Sequence, residues 1–481
     1  MNLSEYTSHD ALGLADLVAR KQVTPRELAA LAAQAIAAVN PQVNAVVETY
    51  PDRIDGLDES TLGSGPFRGV PFLMKDVFGH EAGRTVEFGS RLYKGMVAQE
   101  DSVYCKLVRA AGLNIIGRSA APEYSMAGTT ETAIYGNTST PWRQGFSAGG
   151  SSGGAASAVM SGMVPVAQGT DIAGSVRIPA SFCGGVGLKP SRGRISFAPM
   201  LDENGYGLGQ NFVQTKSVRD TATLLDWLAV PQVGDPFLIP RPDTSWAEAA
   251  RQAPPRLHIA WSTAPIMGVQ TDPEVAAAIQ ATARQLQAMG HVVEEFTPQV
   301  DGLAAMRSMM DLWFFGFDGR LDGYSKRSGH PVGADTLEPV IQQVLAYSKQ
   351  MKAAQLLAAM AMLNTVRRQF ATVFSAHHLW LTPTTARTSE SWGRYNLGRS
   401  DVAFDDIAPQ ILAPVCQYTL PHNVMGTPSI SLPLVMHSNG LPIGVQFSAA
   451  PAREHLLLQL ATVLEQALPW AGRRPPLHAA T

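Results

Sequence analysis

Ser151 stands inside the glycine turn Gly149–Gly154 (GGSSGG), and Ser175 inside a second turn, Gly174–Arg177 (GSVR). Glycine costs conformational entropy unless the backbone needs φ > 0 or the close approach of another group. Glycines crowding Ser151 and Ser175 therefore predict two hydroxyls held at a tight, preorganised site. Amide hydrolysis would need such a nucleophile, with a proton shuttle and donors for a tetrahedral oxyanion. A serine hydroxyl is a weak nucleophile without a base, and the usual base is histidine. None of the eleven histidines lies in a motif beside these serines, whereas Lys75 follows the apolar run Gly69–Met74. A lysine of ordinary pKa, about 10.4, is protonated at neutral pH. Burial in a dry pocket lowers that value and makes a neutral amine possible.

Together with Lys75 in LMKDVF, residues 149–196 resemble the amidase signature family, whose members hydrolyse or transfer across C–N bonds with a Ser–Ser–Lys triad. The resemblance covers about residues 65–225 and returns at 379–385 (LWLTPTT) and 418–446 (YTLPHNVMGTPS…GLPIGVQ). It is weakest over 230–375. It implies Ser175 as nucleophile, Ser151 as a bridging serine with a cis peptide bond, and Lys75 as base. The backbone N–H groups of Ile172, Ala173, Gly174 and Ser175 are the implied oxyanion hole. Ala173 stands where many relatives have glycine. It would be strained if the position required φ > 0; otherwise its methyl narrows the pocket.

The loop Tyr124–Thr129 aligns with a family loop lining the acyl site. Tyr124, Ser125, Met126, Ala127 and Gly128, with Phe146 and Gly207, form the expected substrate-binding set. Gly207 belongs to Asn204–Gly209, which reads as a mobile flap. Ser152, Asp171 and Arg177 are expected supports. Ser152 fits either a hydrogen-bonding support or a helix cap. Asp171 and Arg177 fit a buried loop-fixing pair better than substrate contacts. The aromatic cluster Trp313, Phe314, Phe315 and Phe317 reads as core or as the wall for a bulky substrate. The overall look is nearest the branch containing nylon-oligomer hydrolases and urethane-cleaving enzymes. The implied reaction is hydrolysis of an apolar or aryl amide, or of a carbamate. The alternative is the catalytic subunit of a tRNA-dependent amidotransferase, which shares the triad.

Rival motifs are weaker. Gly145–Gly149 and Gly149–Gly153 both match GxSxG, but the first, around Ser147, follows STPWRQ, which is no strand for a nucleophile elbow. There is no GxxxxGK[ST], and no GxGxxG follows a strand. His377 and His378 lack HExxH spacing. No metal or cofactor is expected. Cys105, Cys183 and Cys416 are odd in number and far apart, so they read as buried free thiols. Cys183, eight residues after Ser175, is also weighed as a nucleophile.

Elements must hold these groups. Gly69–Asp76 reads as a buried strand ending at Lys75. A glycine turn gives way to a helix at Gly154–Met163, and Val164–Ala167 is a strand before the Asp171–Ser175 loop. Thr24-Pro25-Arg26-Glu27 starts a helix that should stop at Asn40-Pro41. Two N-terminal helices, a strand at 43–48, a helix at about 101–111 and a strand at Leu113–Ile116 follow from local pattern. Ser217 caps another helix, and 275–289 and 349–370 have helical periodicity. Alternation of strands and helices predicts an α/β fold with a largely parallel sheet covered on both faces. The family resemblance implies instead a large mixed central sheet.

The 481 residues are read as one amidase domain, because signature positions spread from 75 to 446. A 45% hydrophobic and 16% charged composition fits a globular protein with an ample core. Net charge is −3 with no basic block, which argues against a nucleic-acid surface. The polar N-terminus lacks a signal-peptide pattern, and no apolar run spans a membrane. A cytoplasmic monomer or homodimer acting on a small molecule is the expectation.

Overall fold

Buried apolar runs supply the strands. In the computed structural model, which describes residues 1–481, eleven of them form one sheet. In chain order these are β1 (Val46–Thr49), β2 (Pro71–Lys75), β3 (Asn114–Ser119), β4 (Val166–Asp171), β5 (Val186–Lys189) and β6 (Gln210–Thr215). There follow β7 (His258–Trp261), β8 (Val292–Glu295), β9 (Leu379–Pro383), β10 (Ser429–Met436) and β11 (Pro442–Ala449). The spatial order is β1-β3-β2-β4-β6-β5-β10-β11-β9-β7-β8. Every residue of β2, β3 and β4 is buried, which explains why they read as runs rather than alternations.

The sheet is mixed, not largely parallel. Strand β2 runs parallel to β3 and β4, and β7 runs parallel to β8 and β9. The β4–β6–β5–β10–β11–β9 pairings are antiparallel. Periodicity does not reveal this, because a return strand needs no helix. Strands β10 and β11 pair Met436 with Pro442 across a short turn closed by His437 N–H donating to the Leu441 carbonyl at 2.8 Å.

Helices flank the sheet. The helix Arg177–Cys183 is wholly buried and packs on β5, β10 and β11. A large apolar cluster joins the N-terminal helices through the strands to the helix Glu454–Ala467. A second cluster joins Val77, Tyr124, Ile172 and Phe182 to the helices Gly302–Phe314, Phe317–Ser328, Pro339–Ser348 and Ala353–Ala371. That second cluster lays the 302–371 region over the carboxyl ends of β2 and β4.

Three N-terminal helices form instead of two: Leu3–Ser8, Ala11–Ala19 and Pro25–Val43. The third has the Thr24/Glu27 capping box but runs past Asn40-Pro41 to Val43. Asn44, at φ 52, ends it in the left-handed conformation. The Asn40 side chain accepts the N–H groups of Ala45 and Val46, both at 2.8 Å, and so launches β1.

Candidate active site

Lys75 is the last residue of β2 and is 1% exposed. Its Nζ lies 2.7 Å from Ser151 Oγ and 2.8 Å from Thr170 Oγ1. Its backbone N–H donates to Gln168 Oε1 at 2.8 Å. Gln168 and Thr170, two residues apart on β4, share the face that meets Lys75. Burial drives the Lys75 pKa well below the ordinary lysine value, and the nearby Asp171 and Asp76 charges oppose this. Both carboxylates are themselves neutralised, Asp171 by Arg177 at 2.9 Å and Asp76 by Arg118 at 2.5 Å.

Ser151 precedes the helix Gly153–Met160, and the Gly150–Ser151 peptide is cis. A Cβ at Gly150 would lie 2.4 Å from the Thr129 carbonyl oxygen, so only glycine brings this turn so close to the 124–129 loop. Ser152 occupies the helix N-cap but makes no capping bond. Its Oγ instead accepts the Thr170 N–H at 3.1 Å and donates to the Thr170 carbonyl at 3.3 Å. Ser152 thus clamps the segment of β4 that supplies a partner to Lys75.

The turn carrying Ser175 is organised by Asp171. Its carboxylate accepts the Gly174 N–H at 2.8 Å and the Val176 N–H at 3.1 Å. It also accepts Arg177 Nε at 3.0 Å, Arg177 Nη2 at 2.9 Å and Asn423 Nδ2 at 2.9 Å. Burial alone would raise the Asp171 pKa, but the Arg177 charge and these hydrogen bonds hold it below the ordinary carboxylate range. Arg177 is fully buried and donates further to the Thr419 carbonyl, Gln446 Oε1 and Asn423 Oδ1. Gly174 has φ +128, and a Cβ there would meet Thr419 Oγ1 at 2.3 Å. Ala173 is not among the positive-φ residues, so its methyl brings no backbone strain.

This turn alters the implied oxyanion hole. The Gly174 N–H is taken by Asp171, so it is not free to bind an oxyanion. The N–H groups of Ile172, Ala173 and Ser175 make no hydrogen bond within the protein. Three orphan donors converge on one turn beside a half-buried serine.

The amidase family profile matches residues 27–458. This chain belongs to the amidase signature family. It is 36% identical to the 6-aminohexanoate-cyclic-dimer hydrolase of Paenarthrobacter ureafaciens, over 97% of this chain and 96% of that protein. It is 31% identical to an acylamidase of Rhodococcus erythropolis, again over 97% and 96%. A solved structure of 6-aminohexanoate cyclic dimer hydrolase complexed with substrate superposes with TM-score 0.91 at 34% identity, covering 98% of this chain and 99% of that one. The protein is a hydrolase of amide C–N bonds. No helix is long and apolar enough to cross a membrane.

In this amidase Ser175 opens onto a cavity of about 290 Å³, its mouth included. Ser125, Met126, Ala127 and Gly128 line one side; Met309, Trp313, Leu412 and Cys416 line the other. Tyr124 stands behind that loop, takes the Ser90 hydroxyl at 3.0 Å and stacks on Tyr324. Phe146 and Gly207 are outside the wall. Phe146 lies on the ribbon strand Arg143–Ser147 under the Arg143 guanidinium, and the Gly207 carbonyl accepts from Arg192 at 2.6 Å. Of the aromatic cluster, Trp313 alone reaches the cavity. Phe314 and Phe317 are buried in the second apolar cluster, and Phe315 is half-buried.

The rival nucleophiles are placed elsewhere. Cys183 is fully buried, its thiol pKa is raised by burial, and its Sγ donates to the Ala148 carbonyl. Cys416 lines the Ser175 cavity, but burial pushes its thiol up to about 12. Ser147 is buried and accepts the Gly149 N–H at 3.1 Å. His377 bridges Val373 and Glu294, and His378 accepts the His258 N–H.

Gln168, Thr170 and Asn423 escaped the sequence reading. The first two were missed because the strand was expected to end at Ala167, whereas β4 continues through Gln168 and Thr170 to Asp171. Asn423 lies in YTLPHN, and its side chain joins Asp171, Arg177 and the Leu208 carbonyl.

Proposed function

We propose that this amidase hydrolyses apolar or aryl amides, including nylon-type oligomers and aryl carbamates, through Ser175, Ser151 and Lys75. The observation that carries the reading is the buried Lys75 amine 2.7 Å from Ser151 Oγ, together with Ser175 opening onto an apolar cavity. A neutral amine has a lone pair that accepts the Ser151 proton as Ser151 accepts the Ser175 proton. Ser175 Oγ attacks the carbonyl carbon, and the N–H groups of Ile172, Ala173 and Ser175 receive the oxyanion. On collapse the C–N bond breaks and the proton returns through Ser151 to the leaving nitrogen. Water then attacks the acyl-enzyme by the same relay, releasing the acid. No hydrogen bond joins Ser151 directly to Ser175 in the structure. Such catalytic contacts commonly tighten only when substrate binds.

Its similarity to a cyclic-dimer hydrolase and an acylamidase supports the apolar amide class and makes the amidotransferase reading the weaker one. A carbamate adds an ester oxygen and can use the same oxyanion hole. The test is a panel of a nitroanilide, a cyclic and a linear nylon dimer, a phenyl carbamate, acetamide and glutamine. Ser175→Ala is expected to lower turnover by about four orders of magnitude or more and to abolish fluorophosphonate labelling. Labelling that persists on Ser147, or glutamine cleaved as well as the nitroanilide, would overturn the reading.

A further inference from the structure

A groove beside the helix Phe317–Ser328 is used by none of these steps. Phe78, Phe88, Tyr93, Met200 and Tyr324 give it an apolar floor, with about 1540 Å³ of unfilled space including its open mouth. Tyr324 stacks on Tyr124 at 5.6 Å, and Tyr124 directly precedes the segment that lines the Ser175 cavity.

The helix Phe317–Ser328 forms one side. Arg320, Gly323, Tyr324 and Arg327 recur at i, i+3, i+4 and i+7, which places them on one helix face, and all four line the groove. Lys326 lines it as well. Glu100 is the sole acidic residue in the lining, and none of Arg320, Lys326 and Arg327 forms an ion pair. The Arg327 guanidinium lies over the Tyr324 and Tyr93 rings at 5.3 and 5.8 Å, and the Arg320 guanidinium lies 5.3 Å from the centre of the Phe317 ring. A Cβ at Gly323 would meet nothing within 4 Å, so this face opens onto empty space.

Two further observations favour a ligand. Phe78 and Phe88 hold φ of 57 and 53, a conformation bulky residues rarely adopt, and both rings face the groove. Asp76 fixes the second of them by accepting the Glu87 and Gly89 N–H groups, both at 2.8 Å. His80, 3% exposed, lines the groove and also the small cavity behind Lys75, and its Nε2 has no hydrogen-bond partner in the protein.

We propose that this groove binds an amphipathic carboxylate, its alkyl or aryl tail on the Phe78–Phe88–Tyr324 floor and its carboxylate between Arg320 and Arg327. Arg320, which donates to the Trp313 carbonyl, and Arg327 lack carboxylate partners, and guanidinium groups beside apolar surface match a planar anion on an apolar tail. A neutral or cationic amphiphile would leave those charges unanswered.

The experiment is calorimetric titration of the intact protein with decanoate, decanol and decyltrimethylammonium. Decanoate is expected to bind saturably at one site, about tenfold or more tighter than decanol, with no binding of the ammonium. Gly323→Phe fills the groove at a position with ordinary helical φ and is expected to abolish decanoate binding with an unchanged circular dichroism spectrum. If that variant misfolds, Arg320→Ala combined with Arg327→Ala tests the same point and is expected to weaken binding by about tenfold or more. Trp313→Ala, which alters the Ser175 cavity, is expected to bind decanoate like wild type. Equal affinity for decanol, undiminished binding to the groove variants, or loss in Trp313→Ala would overturn the proposal. So would binding to phosphatidylglycerol vesicles without binding of monomeric decanoate.

Discussion

Asp171–Arg177 and Met309–Trp313 border the same cavity and are held in place by different forces. The first segment is tied by directional hydrogen bonds from the Asp171 carboxylate, from Arg177 and from the distant Asn423, all of them buried. The second lies in a helix held by apolar packing within a cluster that contains Met306, Met309, Met310 and Phe314. Hydrogen bonds are directional and weaken steeply once the donor angle falls below about 120°. Methionine-rich packing adapts to a changed neighbour. On the mechanism proposed above, the turn would set whether bond breaking occurs, and the wall which amide is accommodated. Substitutions in the polar group should act on kcat, and those in the wall on KM.

The largest effect is expected at Lys75, and it tests the polar side of this division. Lys75→Met keeps the side-chain volume and removes the amine. Turnover should fall about 10³-fold or more, while the thermal midpoint holds or rises, since an amine is no longer buried. The lowered Lys75 pKa also fixes the sign of the pH dependence. Above that pKa the amine is neutral and kcat/KM is level; as pH falls through it, the base is protonated and kcat/KM drops with one proton. That acid limb should be absent from whatever activity Lys75→Met retains. Wild-type kcat/KM in the variant, or an acid limb unchanged in it, would break the assignment.

The same division explains what could be read without the structure. The meeting of Lys75 with Ser151, and the turn that carries Ser175, were legible because glycine turns and a lysine ending an apolar run leave a fixed pattern in the chain. Strand β2 and the Thr24 cap were legible for similar reasons, whereas β4, expected at Val164–Ala167, runs from Val166 to Asp171. Met309, Leu412 and Cys416 were not, because an apolar wall residue looks like any core residue until the chain is folded. Trp313 could be noticed by type, but nothing separated it from Phe314 and Phe317, which point into the core. Asn423 was hidden by distance: its bonds to Asp171 span about 250 residues of chain. The antiparallel return of β6, β10 and β11 was hidden because pairing direction has no periodicity of its own. The commitment of the Gly174 N–H to Asp171 depends on a turn geometry that residue types alone do not specify.

A smaller effect tests the wall. Trp313→Ala removes the one aromatic ring that reaches the Ser175 cavity. For a nitroanilide, KM should rise about tenfold with kcat altered less, as expected when binding shared by ground and transition states is lost. Acetamide, too small to reach the ring, should be turned over as by wild type. Initial-rate kinetics on the two substrates decide it. A fall in kcat that is equal for both would show that the wall positions the reacting atoms and would sharpen the division into a coupling.

The smallest effect is expected where the two sides are joined. Glu123 lies two residues before Ser125, where the cavity-lining segment begins, and it is 1% exposed. Its carboxylate accepts the Ser90 hydroxyl at 2.5 Å and the Glu338 N–H at 2.9 Å, at the start of the helix Pro339–Ser348. Burial, reinforced by the charge of Glu338, pushes Glu123 up to about 8, and burial pushes Glu338 up to about 7. A folded carboxyl that keeps its proton above the ordinary value of 4.5 favours the folded state at low pH. Between 4.5 and about 8 the unfolded chain has released that proton and the folded protein has not, so stability falls as pH rises through this window. Glu123→Gln keeps an acceptor for Ser90 or Glu338 and cannot ionise. The drop in thermal midpoint from pH 5 to pH 8 should therefore shrink by about 2 °C in the variant. Scanning calorimetry at the two pH values measures it. An unchanged drop would mean that the joint between loop and helix does not carry this proton.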